Sequence, residues 1–307
     1  MGVNSAMYTA ITGLNAFGTA LGVVSDNIAN SASTAYKSNT ARFGDLVSGY
    51  YATQSSDPES QGVGTTMLGV TTDLTTGTAV STGTWSNVML QGDGFFSVEN
   101  SGGSILYTRD GTFTVDADGY LVDLSGNQVQ GYQNDPTTYE TTGNEADNTI
   151  PPTATTATTA IMIDDPSSGT YPKYSAYEVD EQGIIWGTLT TPIDIYATPG
   201  DPTTAITGQV SKEPIGQLAV TTFSNPEGLV RNGSNTYYAG GNAGVAKTSY
   251  AGEGQAGECI SGAIEASNVD LADQMVNMII YQADYTANTK AISTASNMLD
   301  TVVNLIR

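Results

Sequence analysis

"SDNIANSASTAYKS", residues 25–38, is where a clean helical pattern stops, and none of the 25 residues up to Ser25 carries a charged side chain. Running into it, Met7, Ile11, Leu14, Phe17, Leu21, Val24 and Ile28 recur at steps of 3 and 4, which is one stripe of an amphipathic helix. Met7, Leu14, Leu21 and Ile28 fall seven apart, as in the seam of a coiled coil. Asn4 or Ser5 can cap the start. Asn30 stands where a left-handed residue would close the end, and the small polar run beyond it cannot prolong the stripe. Roughly 25 residues make a rod ~38 Å long.

The other end of the chain mirrors this. Leu271, Met278, Tyr285, Ile292, Leu299 and Ile306 recur every seventh residue. A second seam, Met275, Gln282, Thr289, Ser296 and Val303, is apolar at its ends and polar in its middle. Ser267 or Asn268 is the expected N-cap, with Asp270 and Asp273 favourably placed for the helix dipole. About 40 residues of helix would run ~60 Å, far beyond an ordinary globular helix, so it needs a partner along its length. The N-terminal stripe is the one of comparable length.

Between the two lies strand text. "LQGDGFFSVENSGGSILYTRDGTFTVDADGYLVDLSGNQVQGY", residues 90–132, alternates aromatic and β-branched runs with turns at Gly102-Gly103, Asp110-Gly111, Asp118-Gly119 and Gly126-Asn127, the pattern of an antiparallel meander. Residues 133–176 turn Pro- and Thr-rich and read as a surface excursion. Strand text resumes in "YEVDEQGIIWGTL", "IGQLAVTTF" and "SNTYYAG". The expected fold class is therefore α+β: N- and C-terminal helices paired as a coiled-coil rod, with an all-β, antiparallel, hairpin-rich domain inserted between them. The domain reading is 1–30 with 264–307 as a terminal helical inner domain, 31–70 as an extended linker region, and 71–263 as a β-rich outer domain.

Charge follows the same division. The net charge is −22, from 9 basic and 31 acidic residues, which argues against nucleic acid and against anionic membranes as partners. Residues 1–48 hold Asp26, Asp45, Lys37 and Arg42 and balance to zero, so the acidity sits in the middle. Near-neutral ends around an acidic centre suggest that the ends meet protein and the centre meets water. No signal-peptide pattern opens the chain, and no window holds the ~20 uninterrupted apolar residues of a membrane span.

Chemistry is poorly provided for. With no histidine and a single cysteine, Cys259, neither an internal disulfide nor a Cys/His metal site can form. General-base work would fall to carboxylates or lysine, and no acid stands in apolar text that would raise its pKa. "GDG" at 92–94 is followed by "FFSV", a strand rather than a helix, so a hairpin turn is expected there and not a nucleotide loop. "DADG" at 116–119 lacks the later ligands of a calcium loop and reads as a type I′ turn. No catalytic, cofactor or metal residue is assigned. The residues expected to matter are those of self-assembly: Met7, Ile11, Leu14, Leu21, Ile28, Asn30, Leu271, Met275, Met278, Tyr285, Ile292, Leu299 and Ile306. Small and polar uncharged residues cover the faces beside the stripes, so a two-helix rod would leave surface that further copies must bury.

Several blocks then resemble one family, the flagellar rod and hook proteins of bacterial axial structures. "AITGLNAFGTALGVVSDNIANSASTAYKSNTARFGDL" (10–46) is similar to its opening helix and Asn-rich signature; "LQGDGFFSV" (90–98) and "YTRDGTFTVDADGYLVDLSGNQVQGY" (107–132) to its β core. "FSNPEGLVRNGSNTY" (223–237), "SGAIEASNVDLADQMVNMI" (261–279) and "YQADYTANTKAISTASNMLDTVVNLIR" (281–307) are similar to its C-terminal blocks. Asp26 stands where the signature usually repeats Asn, and Ala35-Tyr36 replaces a usual Gly-Phe. Within the family the ending and the text after "FGDL" are similar to the hook branch with a reduced outer domain, the distal rod branch coming next.

The resemblance implies a helical homopolymer: a tube with the terminal helices lining an export channel and the β domain outside. It implies a flagellar, extracellular location reached by type III export without a cleaved signal peptide. The implied neighbours are the distal rod protein, the hook cap protein, the hook–filament junction protein and the export apparatus, with no nucleic acid, membrane insertion or cofactor. Termini that bury their stripes only in the polymer should be mobile in the free subunit. From another class, the acidic Thr-rich middle alone would also allow a secreted adhesin on a helical stalk.

Overall fold

The computed structural model describes residues 3–47, 62–133, 158–164, 173–196 and 206–305. Two compact units divide the chain, Met1–Thr75 with Ser267–Arg307, and Thr76–Ala266.

The first unit holds the helices α1 (Val3–Ala29) and α2 (Leu271–Leu305), and a two-stranded ribbon of β1 (Asn39–Val47) and β2 (Gly62–Thr72). Residues 31–70, expected as an extended linker, instead supply both strands, paired antiparallel from Asn39↔Thr72 to Val47↔Gly62. The helices pack on each other. They run antiparallel, since Asn27 meets Gln274 at one end while Gly13 meets Asn288 at the other. Over α2 the cap is Asp270, whose Oδ1 accepts from Ala272 N at 2.8 Å; Asn268, an expected cap, is occupied elsewhere. By length and composition alone α1, over Asn4–Ala29, is apolar enough to cross a bilayer. The sequence reading looked for an uninterrupted apolar run, whereas Ala, Gly and Val raise the mean without one.

In the second unit the strands are β3 (Ala79–Ser81), β4 (Val88–Gln91), β5 (Phe95–Glu99), β6 (Ile105–Thr108), β7 (Thr114–Val115), β8 (Leu121–Val122) and β9 (Gln128–Gln133). There follow β10 (Thr159–Ala160), β11 (Tyr174–Val179), β12 (Ile184–Tyr196), β13 (Ile206–Phe223), β14 (Leu229–Gly233), β15 (Thr236–Ala239), β16 (Ala246–Tyr250), β17 (Glu258–Ser261) and β18 (Ala263–Glu265). Among the described residues twelve strands join in one sheet, with β11-β12-β13-β9-β5-β6-β15-β14 as its spine; β17–β4 and β18–β3 form separate ribbons. Strand β13 is the organiser. Its first half pairs with β12, its middle with β9, and its last residues with β16 and β5.

One turn device recurs. Asn100, Asp116, Asp123 and Asp180 each accept at the backbone from a glycine three residues on, Gly103, Gly119, Gly126 and Gly183, at 2.8–3.0 Å. Each of those glycines has a positive φ, between 72° and 83°, the three-residue hairpin with a left-handed last position. "DADG" is therefore not the expected type I′ turn, because Asp118 keeps a negative φ. "GDG" is not a hairpin either: β4 and β5 do not pair, and Gly92–Gly94 carries the chain from one ribbon into the main sheet.

The core is built from large apolar side chains, among them Leu90, Phe96, Phe113, Leu121, Ile185 and Leu218. Ile161 and Ile163 belong to it, although they lie in the stretch read as a surface excursion. Leu121 N donates to Ile161 O at 2.9 Å, which stitches that segment to the meander. The remainder of the excursion, at 134–157 and 165–172, lies outside the described residues.

Candidate functional site

The Asn-rich stretch ends α1 at Ala29, as expected, and is also a polar fastening. Asn27 is 0% exposed, and all four of its side-chain valences are used. Its Nδ2 donates to Asn39 O at 2.7 Å and to Gln274 Oε1 at 3.0 Å; its Oδ1 accepts from Asn39 N at 2.9 Å and from Tyr36 OH at 3.2 Å. One side chain thus ties α1 to β1 and to α2. Buried polar groups are tolerated only when satisfied in this way. The single Tyr36 hydroxyl proton is shared between Asn27 Oδ1 and Asp26 Oδ2, the latter at 3.0 Å, so the two departures from the family signature, Asp26 and Tyr36, bond to one another.

A second hub faces it. Asn268 Oδ1 accepts from Ser38 N at 2.8 Å, and its Nδ2 donates to Asp73 O at 2.9 Å and Thr75 O at 3.2 Å. Lys37, buried, donates to Thr75 O at 2.7 Å. Asn30 does not take the left-handed role expected of it. Its N donates to Asp26 O at 3.1 Å and its Nδ2 reaches the same carbonyl at 2.9 Å. The local amide bond keeps Asn30 in the helical turn, and the reversal falls instead on Ala35, buried with φ 53°.

Between the helices the buried line of α1 is Ala10, Gly13, Ala16, Ala20, Val24 and Asn27. It lies about one residue, ~100°, around the helix from the large apolar stripe. Small residues let neighbours come close: a Cβ on Gly13 would stand 3.0 Å from the Asn288 amide, and one on Gly64 would collide with the Thr12 hydroxyl. Larger groups meet at one junction, where Phe17 of α1, Phe43 of β1 and Tyr281 of α2 have ring centroids 5.5, 6.0 and 6.2 Å apart. Sequence reasoning missed Phe43 and Tyr281, since neither falls on a heptad seam.

Of the residues expected to carry assembly, Met7, Leu14, Leu21, Ile28 and Asn30 are half-buried and Ile11 is exposed. On α2, Met278, Ile292 and Leu299 are half-buried, whereas Leu271, Met275 and Tyr285 are exposed. Tyr285 packs over Gly18, 3.7 Å from where a Cβ would stand. Ile306 lies outside the described residues. The outer face of α2 adds exposed Val276, Ile279 and Ile280, with Ala283 and Ala287 continuing it; Ile279 is 66% exposed. Water is a poor neighbour for such a continuous face.

In the β unit the described chemical groups are buried. Cys259 is buried in the core, and burial pushes its thiol up to about 12, so it stays protonated and inert. Arg109 is buried against the Phe95 ring, 5.2 Å from its centroid, with Nε and Nη1 lacking a hydrogen-bond partner among the described residues. Burial pulls this guanidinium down, while Glu265, Asp93 and Tyr237 act to hold it up.

Three family descriptions match the chain: Flagella basal body rod protein over residues 7–37, Flagellar hook protein FlgE/F/G D1 domain over 89–187, and Flagellar basal body rod FlgEFG protein C-terminal over 260–305. The flagellar hook protein FlgE of Salmonella typhimurium is 29% identical, covering 96% of this chain and 98% of the relative. That of Escherichia coli (strain K12) is also 29% identical, over 98% and 100%. The flagellar basal-body rod protein FlgG of Bacillus subtilis (strain 168) is 27% identical, over 98% and 99%. The Salmonella alignment runs to 406 positions against the 307 residues here, so the hook relative carries sequence this chain lacks; the rod alignment needs only 314.

Proposed function

The chain belongs to the bacterial flagellar rod and hook family of axial proteins, which are structural and not enzymes, and on that premise we propose that it is the subunit of the flagellar hook. The observation that carries this is the uncovered apolar face of α2 in a chain aligned end to end with hook proteins. In the proposed assembly, copies bury that face and the large stripe of α1 against one another, so the helices form coiled-coil seams lining an axial channel. Met7, Ile11, Leu14, Leu21 and Ile28 of α1, and Leu271, Met275, Met278, Tyr285, Ile292, Leu299 and Ile306 toward the C-terminus, supply the seams, with Asn30 at the end of α1.

The β units make the outer layer. The segment that forms them carries most of the chain's net negative charge, so contacts between them would be wet and could slide as each row of subunits lengthens and shortens during rotation. The helical inner layer holds the tube together and transmits torque. The subunit would leave the cell through the flagellar type III apparatus. It would meet the distal rod protein below, the hook cap protein during growth, and the hook–filament junction protein above. The inner domain is taken as 1–30 with 264–307, extended by the ribbon of β1 and β2.

Length favours a second reading. The Bacillus rod protein aligns with little insertion, as a distal rod subunit, a stiff drive shaft of the same parts, would. Electron microscopy of the concentrated full-length chain separates the two. Curved tubes are expected for a hook; straight tubes would transfer the protein to the rod; discrete stalked particles at every concentration would overturn both.

A further inference from the structure

The sequence contains one asparagine followed directly by glycine, Asn232-Gly233, and the fold sets that pair on an open edge. Strand β14 is the last of its sheet, with no neighbour on its outer side among the described residues. Its ladder with β15 steps from Arg231↔Tyr237 to Gly233↔Thr236, leaving Asn232 as the unpaired residue of a bulge. Three left-handed residues follow without a break: Gly233 at φ 97°, Ser234 at 48° and Asn235 at 55°. Asn232 is exposed, and its amide is held by a single long contact, 3.5 Å to Thr236 Oγ1. By contrast, Asn27 and Asn268 are pinned by several short bonds each.

We propose that Asn232 is a site of spontaneous deamidation in the folded protein, a modification that stands whether the chain builds a hook or a rod. A glycine nitrogen has no side chain beside it, so it approaches the preceding side-chain carbonyl unhindered. Hydroxide takes the Gly233 N–H proton, the nitrogen bonds to Asn232 Cγ, and the Cγ–Nδ2 bond breaks. The departing nitrogen takes a proton from water and leaves as ammonia. One water then adds across either C–N bond of the cyclic imide, giving aspartate or isoaspartate. Amide and water have become carboxylate and ammonium, and no other reagent is needed. The product places a carboxylate beside Arg231 on the free edge. A charge there discourages strand-to-strand pairing with other sheets. Isoaspartate lengthens the backbone by one carbon at the bulge, where the fewest ladder bonds are disturbed.

The test incubates the native full-length chain at mildly alkaline pH and follows every asparagine by peptide mass mapping. A parallel sample is unfolded in urea, and Asn232→Gln serves as a slow-closing control. Conversion of Asn232 ahead of all other asparagines in the folded sample, with both aspartate and isoaspartate products, is the expected result; Asn232→Gln should abolish it. Should Asn232 react only when unfolded, the bulge protects rather than exposes it and the proposal fails. It fails equally if another asparagine converts first in the native chain. The Asp-Gly pairs isomerise without changing mass, so they do not confuse the reading.

Discussion

The two units of this chain solve the problem of burial in opposite ways. The β unit puts its bulk inside: Phe96, Val98, Leu90, Ile185 and Leu218 are all fully enclosed, and its hairpins close on backbone bonds set by Asp or Asn and Gly. The helical unit encloses alanine, glycine and asparagine, and leaves Met275, Val276, Ile279 and Ile280 facing out. A core of small residues gives close approach but little hydrophobic gain, since burial energy scales with apolar area. One unit encloses its own large side chains. The other, in the function proposed above, is completed by further copies.

The largest expected effect tests that contrast. Ile279→Asp places a charge on an exposed face where nothing in the monomer opposes it, so monomer melting should be unchanged within ~0.5 kcal/mol. In the polymer the same carboxylate would be buried unpaired, at a cost that forbids assembly. Sedimentation and electron microscopy should find no tubes. Tubes of normal mass per length would show that this face is not an interface. Leu14→Asp, on the flanking stripe of α1, should behave alike, although its half-buried position brings a measurable loss of helix stability too.

Next comes the β core. Phe96→Ala removes a ring packed edge-on against Phe113, with centroids 5.3 Å apart, and should cost about 3–5 kcal/mol in urea unfolding. If the helical unit is finished only by assembly, far-UV helix signal should be lost at the same denaturant concentration in mutant and parent, while the tyrosine and tryptophan signals move apart. A common shift of all signals would mean the units unfold as one.

Smaller, and confined to the helical unit, is Asn27→Ala. It strips partners from Asn39 N–H and from the Gln274 side chain inside a closed site, and a buried group left unpaired costs about 1–3 kcal/mol. Hydrogen exchange should speed up over the end of α1, β1 and the start of α2, and stay unchanged in the β sheet. Acceleration confined to α1 would deny that Asn27 joins three elements.

What could be read from the sequence follows from what leaves a periodic trace. Both helices were legible because Leu, Met and Ile mark a 3.6-residue period, and the meander because Asp-Gly and Gly-Asn punctuate it. The buried line of α1 was not, because alanine and glycine carry no hydrophobic signal; the eye follows Leu14 and Leu21 and lands one residue around the helix. The ribbon was missed because "NTARFGDLV" and "GVGTTMLGVTT" are joined by residues 48–61 rather than a tight turn. Asn27 left no trace and Asn268 read as a cap because their partners lie across the fold, Asn268 bonding Asp73 from 195 positions away. Ile161 and Ile163 were hidden by the threonines around them.

The smallest effect concerns the turn that the opening stretch makes. Ala35 is buried and left-handed, a conformation costing an L-residue with a Cβ roughly 1–2 kcal/mol. Replacing it by glycine relieves that strain, loses one buried methyl, about 0.8 kcal/mol, and adds unfolded-chain entropy worth about 0.4–1 kcal/mol. The three nearly cancel, so Ala35→Gly should change stability by less than about 0.5 kcal/mol. Ala20→Gly provides the contrast, because it sits in the buried line of α1 with ordinary helical geometry. There the lost methyl and the helix penalty of glycine add, to about 2 kcal/mol. Equal losses at the two alanines would mean that Ala35 carries no strain, and that the hydrogen bonds of Tyr36 and Asn27, rather than its backbone, fix the exit from α1.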